Sequence, residues 1–313
     1  MPDVADADLF GRIAEMATTA ESVGFDSLFL MDHFHQLKLV GGPKDPMPEC
    51  YTFLSAIGAR TSHIQVGAMI GGVSYRNPAY LAKVVTSLDI VTNGRAILGI
   101  GAGWLESEHI AYGYGFGTVS ERFEMLEETL LIVKSMFVDD TTNFTGKWFQ
   151  IHDALNFPKP IDGAPPILIG GRGKKKTLRL VAKYADVCNI YGRPELLREL
   201  LDTLDEHCSD LGRDPGTVWR TCLGTLILGT SHDEAIEKRA EWLATRGQRW
   251  EGMSESEQHD VDAVCIVGDA DEVSERINEI LAEGIDGIIV NLPVSGNLDM
   301  ISQAGELLCR LVP

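Results

Sequence analysis

No stretch of this sequence approaches the roughly 18 consecutive apolar residues that a membrane-spanning helix needs. The amino terminus, MPDVADADLF, has neither the basic cluster nor the apolar segment of a secretion leader. Positive charge is scarce: 27 lysines and arginines face 46 aspartates and glutamates, a formal net charge of −19. That balance argues against a phosphate backbone as partner. Six cysteines (Cys50, Cys188, Cys208, Cys222, Cys265 and Cys309) are scattered without a C-x-x-C pair. Zinc sites and disulfides are therefore not expected, and reduced thiols in a chain without a leader place it in the cytoplasm. No linker-like or low-complexity segment divides the 313 residues. A single domain over 1–313 is expected.

What is present is an alternation. Hydrophobic residues make up 44% of the chain, enough to bury a large core. Apolar spacing of about 3.6 predicts helices over 8–23, 51–60, 77–91, 120–137, 174–184, 194–211, 233–246, 271–283 and 298–311. Gly24 is placed to end the first of these, and Pro78 to open the third. Between the helices lie short, nearly all-apolar runs at 26–31, 64–70, 95–100, 167–170, 186–190, 218–228 and 287–291. Runs of that kind between helices mark a parallel sheet covered on both sides. A polar stretch at 248–262 reads as a loop or insertion. The predicted fold is α/β, a (β/α)8 barrel of the TIM type. Only seven strands are found, so the barrel is lacking or truncated in its first strand. Residues 1–7, with Pro2, Asp3 and Asp6, are poor strand material.

In such a barrel the chemistry gathers at the C-terminal ends of the strands. There the sequence offers Asp32, His33, Phe34 and His35, then GAMIGGVSYRNP, GIGAGWLESEH and GGRGKKK, and finally Cys188, Asn189 and Tyr191. Glycine at these ends lets the backbone approach a flat or phosphorylated ligand. A dinucleotide fingerprint beginning at Gly99 fails, because Trp104 stands where the last glycine is needed. A metal-dependent hydrolase built on His33 and His35 lacks further ligands at the other strand ends. In an acidic protein, Arg172, Lys174, Lys175, Lys176 and Arg179 form a local positive site. They make either an anion seat or a solvated helix start.

The runs GFDSLFLMDHF, YRNPAYLAK, NGRAILGIGAGW and PPILIGGRGKKKTLRL resemble the luciferase-like monooxygenases and, more closely, their F420-dependent oxidoreductase branch. The resemblance covers nearly the whole chain. It implies that Asp32 and His33 face a deazaflavin ring, with His33 as catalytic acid or base. A non-proline cis peptide is implied beneath the ring at Ala68–Met69. Gly101, Ala102 and Gly103 would line the ring edge. Gly170, Gly171, Arg172 and Gly173 would hold the cofactor phosphate, and Cys188 and Asn189 would border the ring; a buried structural thiol is an equal reading of Cys188. Trp104 reads as a packing or substrate-wall aromatic, and Glu108 as a solvent-facing carboxylate or, alternatively, a substrate-side acid. The lysines favour coenzyme F420, whose tail is polyglutamate, over FMN. The function implied is hydride transfer between F420 and a small organic substrate. The alternatives are an FMN-dependent monooxygenase fed by a separate reductase and a non-catalytic flavin- or deazaflavin-binding protein. Members of the family commonly form dimers, and a homodimer is expected on that ground.

Overall fold

The structure is a computed structural model that describes residues 5–37, 40–293 and 297–312. Along the chain run α1 (Leu9–Ser22), β1 (Ser27–Leu30), α2 (Cys50–Gly58), β2 (Gln65–Ala68), β3 (Gly71–Gly72), α3 (Pro78–Thr92), β4 (Ala96–Gly101) and α4 (Glu106–Tyr112). Next come α5 (Val119–Val138), β5 (Thr142–Thr145), β6 (Gln150–Ala154), β7 (Ile167–Gly170), α6 (Thr177–Tyr184), β8 (Val187–Ile190) and α7 (Pro194–Asp210). The chain closes with β9 (Trp219–Leu228), α8 (His232–Ala244), α9 (Glu255–Val264), β10 (Cys265–Gly268), α10 (Ala270–Ala282), β11 (Gly287–Asn291) and α11 (Leu298–Leu311). Helix starts follow their caps. Asn77 accepts from the N–H groups of Ala79 and Tyr80 ahead of α3, with Pro78 in the first turn. Thr118 and Glu121 cap α5 reciprocally.

The strands pair in parallel in the order β1, β2, β4, β7, β8, β9. At β9 the sheet forks: residues 221–225 pair with β11 and residues 225–228 with β10. Strands β2 and β3 are two halves of one interrupted strand. The first pairs with the start of β4 (Val66 opposite Ala96) and the second with its end (Gly72 opposite Gly101). Counted that way, the seven runs expected from the sequence are the seven strands of the curled wall. Strand β10 is an extra element that packs beside the small core of Ile227, Trp242 and Leu243.

The expectation of an incomplete barrel corresponds to a seam. Among the described residues, the outer edges of β1 and β11 have no strand partner. Of residues 1–7, where a leading strand was weighed, residues 5–7 form no strand and residues 1–4 lie outside the described residues. The sheet curls until both edges line one cavity of about 830 Å³, with Phe29 on one side, Val290 on the other and Met69 and Leu168 from the interior. Helices α1 and α11 close the outside of the seam. They approach tightly because Gly305 presents no Cβ, which would fall 2.3 Å from Val23 Cγ2.

Two sequence expectations are corrected. The polar stretch 248–262 is not a plain loop: Trp250–Gly252 forms a 3₁₀ turn, and α9 begins at Ser254, which forms a reciprocal cap with Glu257. No residue of α9 is buried, so it leaves no hydrophobic period to read. The hairpin of β5 and β6 also escaped, because its residues are largely polar and exposed.

Candidate active site at the strand ends

The end of β1 carries two side chains with different fates. Asp32 is 2% exposed and is held by Arg76, whose guanidinium donates to both carboxylate oxygens at 2.6 and 2.9 Å. Arg76 also reaches Glu49 at 2.7 Å and lies over the Tyr51 ring. Burial works against its charge, but the bonds to Asp32 outweigh this and hold Arg76 above its ordinary range. Asp32 is thus the anchor of an ion pair, and both its oxygens are engaged. His33 faces the other way. Its Nδ1 meets Glu108 Oε2 at 2.7 Å, and Nε2 has no protein partner among the described residues. The edge of the Trp104 ring stands near it, with centroids 5.8 Å apart.

Glu108 is the largest departure from the sequence reading. It is not solvent-facing but fully buried. Oε1 accepts from the N–H groups of Phe34 (2.6 Å) and His35 (3.3 Å), while Oε2 meets His33 and accepts from Tyr75 Oη at 2.8 Å. Desolvation alone would raise its pKa, yet the hydrogen bonds from His33, Phe34 and Tyr75 hold it below the ordinary carboxylate range. Burial, followed by the bond to Glu108, pushes the Tyr75 phenol up. The next residue, His109, is also fully buried. Its Nε2 lies 2.5 Å from Ser74 Oγ and its Nδ1 2.8 Å from the Leu105 carbonyl. Helix α4 therefore clasps two strand ends at once. Phe34 is held on the same helix by Tyr112, which also donates to the Phe34 carbonyl.

The floor lies at the break between β2 and β3. The cis peptide is Met69–Ile70, one bond beyond the expected Ala68–Met69. Ala68 itself is the last residue of β2, fully buried and paired to Leu30. Ile70 sits among glycines: a Cβ on Gly101 would fall 2.9 Å from its Cγ2, and one on Gly170 3.1 Å from its Cγ1. A Cβ on Gly99 would fall 1.8 Å from the Ala68 carbonyl oxygen. Gly101 and Gly170 are thus needed to seat Ile70. Gly103 (φ 71°) turns the chain beside Ser74 and His109, with Ala102 half-buried before it.

Beyond β7, Gly171 (φ 132°) donates its N–H to the Asn189 carbonyl at 2.9 Å, tying the ends of β7 and β8. From Arg172 to Lys176 no backbone N–H has a protein acceptor among the described residues, and α6 starts without a side-chain cap. Gly173 is required here, since a Cβ would fall 2.6 Å from Thr177 Oγ1. A run of free N–H groups at a helix start is an anion cradle. The positive cluster beside it is partly neutralised: Lys174 pairs with Glu199 and Arg179 with Asp210, while Lys176 donates to Ser120 Oγ. Arg172 lies over the Tyr191 ring. Arg172 and Lys175 have no carboxylate partner among the described residues.

Residues 2–287 match the family described as Luciferase-like monooxygenase. The chain belongs to this family. An F420-dependent glucose-6-phosphate dehydrogenase of Amycolatopsis mediterranei is 26% identical over 325 residues, covering 96% of this chain and 95% of that protein. Another with the same name, of Kineococcus radiotolerans, is 31% identical over 249 residues, covering 76% of this chain and 71% of that protein. In fold the chain is similar to an F420-dependent secondary alcohol dehydrogenase solved with an F420-acetone adduct. The TM-score is 0.81 at 21% identity, with 97% of this chain and 96% of that one covered.

In this luciferase-like chain α4 links His33, through Glu108, to Ser74, through His109, while Gly101 and Gly170 meet at Ile70 and Gly171 is tied to Asn189. Two of the expected ring neighbours have side chains engaged in the interior. The Cys188 thiol is fully buried and pushed up to about 12 by desolvation, in keeping with its reading as a structural thiol. The Asn189 amide is turned inward to Thr221 Oγ1 at 2.9 Å. Sequence reasoning gave no role to His109, Tyr75 or Arg76 and read Glu108 chiefly as solvent-facing, where it is buried. For α4 the only signal was inverted: Ile110 and Tyr112 are 73% and 55% exposed, while the adjacent Glu108 and His109 are buried. No pattern that places apolar residues inside would find them. Among the described residues no helix is long and apolar enough to cross a membrane.

Proposed function

We propose that the chain is an oxidoreductase that uses coenzyme F420 and moves a hydride between it and a small organic substrate at the strand ends. The observation that carries this reading is His33. It is an imidazole with an unpartnered Nε2 at a mouth otherwise built of glycine, small residues and aromatics. The names of the relatives above, F420-dependent dehydrogenases, support the same reading. The residues present fit the cofactor. The free N–H groups of residues 172–176 suit a phosphate, and Arg172 and Lys175 suit an acidic tail beyond it. Gly101, Ala102 and Gly103, with Ile70 seated against Gly101, are the segment that would face the flat ring. When bound, F420 supplies a carbon that exchanges hydride and does not activate oxygen. The chain supplies the proton handling: His33 takes the hydroxyl proton of an alcohol substrate, or returns one to a carbonyl in the reverse direction. Asp32, locked to Arg76, keeps the strand end fixed and takes no part in proton exchange.

Equilibrium titration with F420 and with FMN, followed by ring fluorescence, tests the reading. Turnover should then be assayed on a panel of alcohols that includes glucose 6-phosphate. Saturable F420 binding with reduction of the deazaflavin by a panel member is the expected result. Oxygen uptake with reduced FMN would replace it with the monooxygenase reading. Binding without any turnover would leave a cofactor-binding protein.

A further inference from the structure

We propose that Glu108 is the positioning residue of this site: it fixes His33 in the tautomer that carries its proton on Nδ1 and so leaves Nε2 as the atom that exchanges a proton with substrate. The inference rests on the hydride-transfer reading above and assigns the direction of proton flow within it.

The assignment follows from counting donors. An ionised carboxylate only accepts. Around Glu108, the Phe34 and His35 N–H groups can only donate, and both point at Oε1. Oε2 receives the Tyr75 hydroxyl and faces His33 Nδ1 at 2.7 Å. Four contacts of 2.6 to 3.3 Å on a fully buried carboxylate are satisfied together when all four partners donate. Nδ1 therefore carries hydrogen, and the neutral ring presents its lone pair at Nε2. The other charged and titratable groups near the ring are already engaged. Asp32 and Arg76 bind each other, His109 is held by Ser74 and the Leu105 carbonyl, and the His35 ring faces the Gln36 carbonyl. Glu108 is thus the one carboxylate placed against the imidazole among the described residues.

The chemical step balances on this arrangement. The substrate O–H bond breaks and its proton passes to Nε2, giving an imidazolium. The adjacent C–H bond would then break, its electron pair leaving as the hydride that a bound, oxidised deazaflavin would accept, and the carbon–oxygen bond would become double. Glu108 stabilises the imidazolium through Nδ1 without taking its proton, as the orienting carboxylate does in a catalytic triad. Tyr75, donating to the same oxygen, holds Oε2 in place.

The test uses protein labelled with ¹⁵N-histidine and long-range proton–nitrogen spectra across pH 5 to 9, with His33 assigned from the spectrum of His33→Asn. The expected result is Nδ1–H in the neutral imidazole of the wild type, and in Glu108→Gln, whose amide NH2 would face the ring, a shift of the proton to Nε2. Deazaflavin affinity should be unchanged and turnover down by about two orders of magnitude. Glu108→Asp should recover part of the tautomer preference and the rate. A purely structural Glu108 would lower thermal stability in the Gln variant and leave the tautomer unchanged, which would overturn the proposal. So would a wild-type His33 that carries its proton on Nε2. The two readings fail separately. A chain that ignores the deazaflavin yet shows Nδ1–H loses the hydride-transfer reading and keeps the tautomer; one that binds it with Nε2–H loses only the present proposal.

Discussion

Arg76 holds Asp32 by both carboxylate oxygens, and the pair is nearly out of solvent. A buried ion pair is costly to break from one side, because the remaining charge is stranded. Arg76→Ala should lose about 3–5 kcal/mol of stability in urea unfolding. The paired change Asp32→Asn with Arg76→Met should recover most of that. If the single variant unfolds at the wild-type midpoint, the ion pair is not what fixes the end of β1.

Gly99 leaves no room for a methyl group, since a Cβ would lie 1.8 Å from the Ala68 carbonyl oxygen. Gly99→Ala should therefore cost more than the roughly 1–3 kcal/mol typical of overpacking, or prevent folding. Gly115→Ala, at a position with nothing within 4 Å of the added Cβ, is the control and should be near neutral. Thermal melts of the two variants decide it.

The contrast between those glycines shows where sequence reading stops. The alternating apolar runs made all seven wall strands legible, and the glycine-rich strand ends marked the mouth. The reason for each glycine was not legible. Gly101 was expected at the ring edge and Gly170 at the cofactor phosphate; a Cβ at either would meet the side chain of Ile70, at the break between β2 and β3. Glu108 was hidden for a different reason. Its burial depends on donors 33 to 75 residues away in the chain, and α4 turns its apolar side chains outward. The polar α9 followed from a single cap, which pattern reading passed over.

His33→Ala should retain cofactor binding and lose turnover by about 10²–10⁴-fold, the usual share of a general acid or base. Fluorescence titration and initial rates measure the two effects separately. Unchanged turnover would remove His33 from the chemistry.

Acid stability has a defined sign. Glu108 is held below its ordinary pKa in the folded state. Its contribution to stability is present above the unfolded value of about 4.3 and is lost as the pH falls through the folded value. Unfolding free energy of the wild type should therefore fall more steeply below pH 4 than that of Glu108→Gln. Parallel curves would mean that the carboxylate is not ionised in the folded protein.

Five of the six cysteines are buried and Cys309 is exposed. Burial pushes the thiols of Cys188, Cys222 and Cys265 up to about 12. A thiol reagent at neutral pH should label one site rapidly in the native protein, and Cys309→Ser should abolish that phase. Rapid labelling of several sites would show that the core opens readily.

The seating of Ile70 has a consequence for how this protein changes over evolutionary time. Gly99, Gly101 and Gly170, packed against Ala68 and Ile70, have little space for a side chain, so substitutions there are costly and the freedom to change lies elsewhere. The rim supplies that freedom, since Trp104, Ile110 and Tyr112 stand exposed on a segment whose inward-facing residues are already committed. Drift will therefore redraw the entrance to the barrel long before it reaches the base.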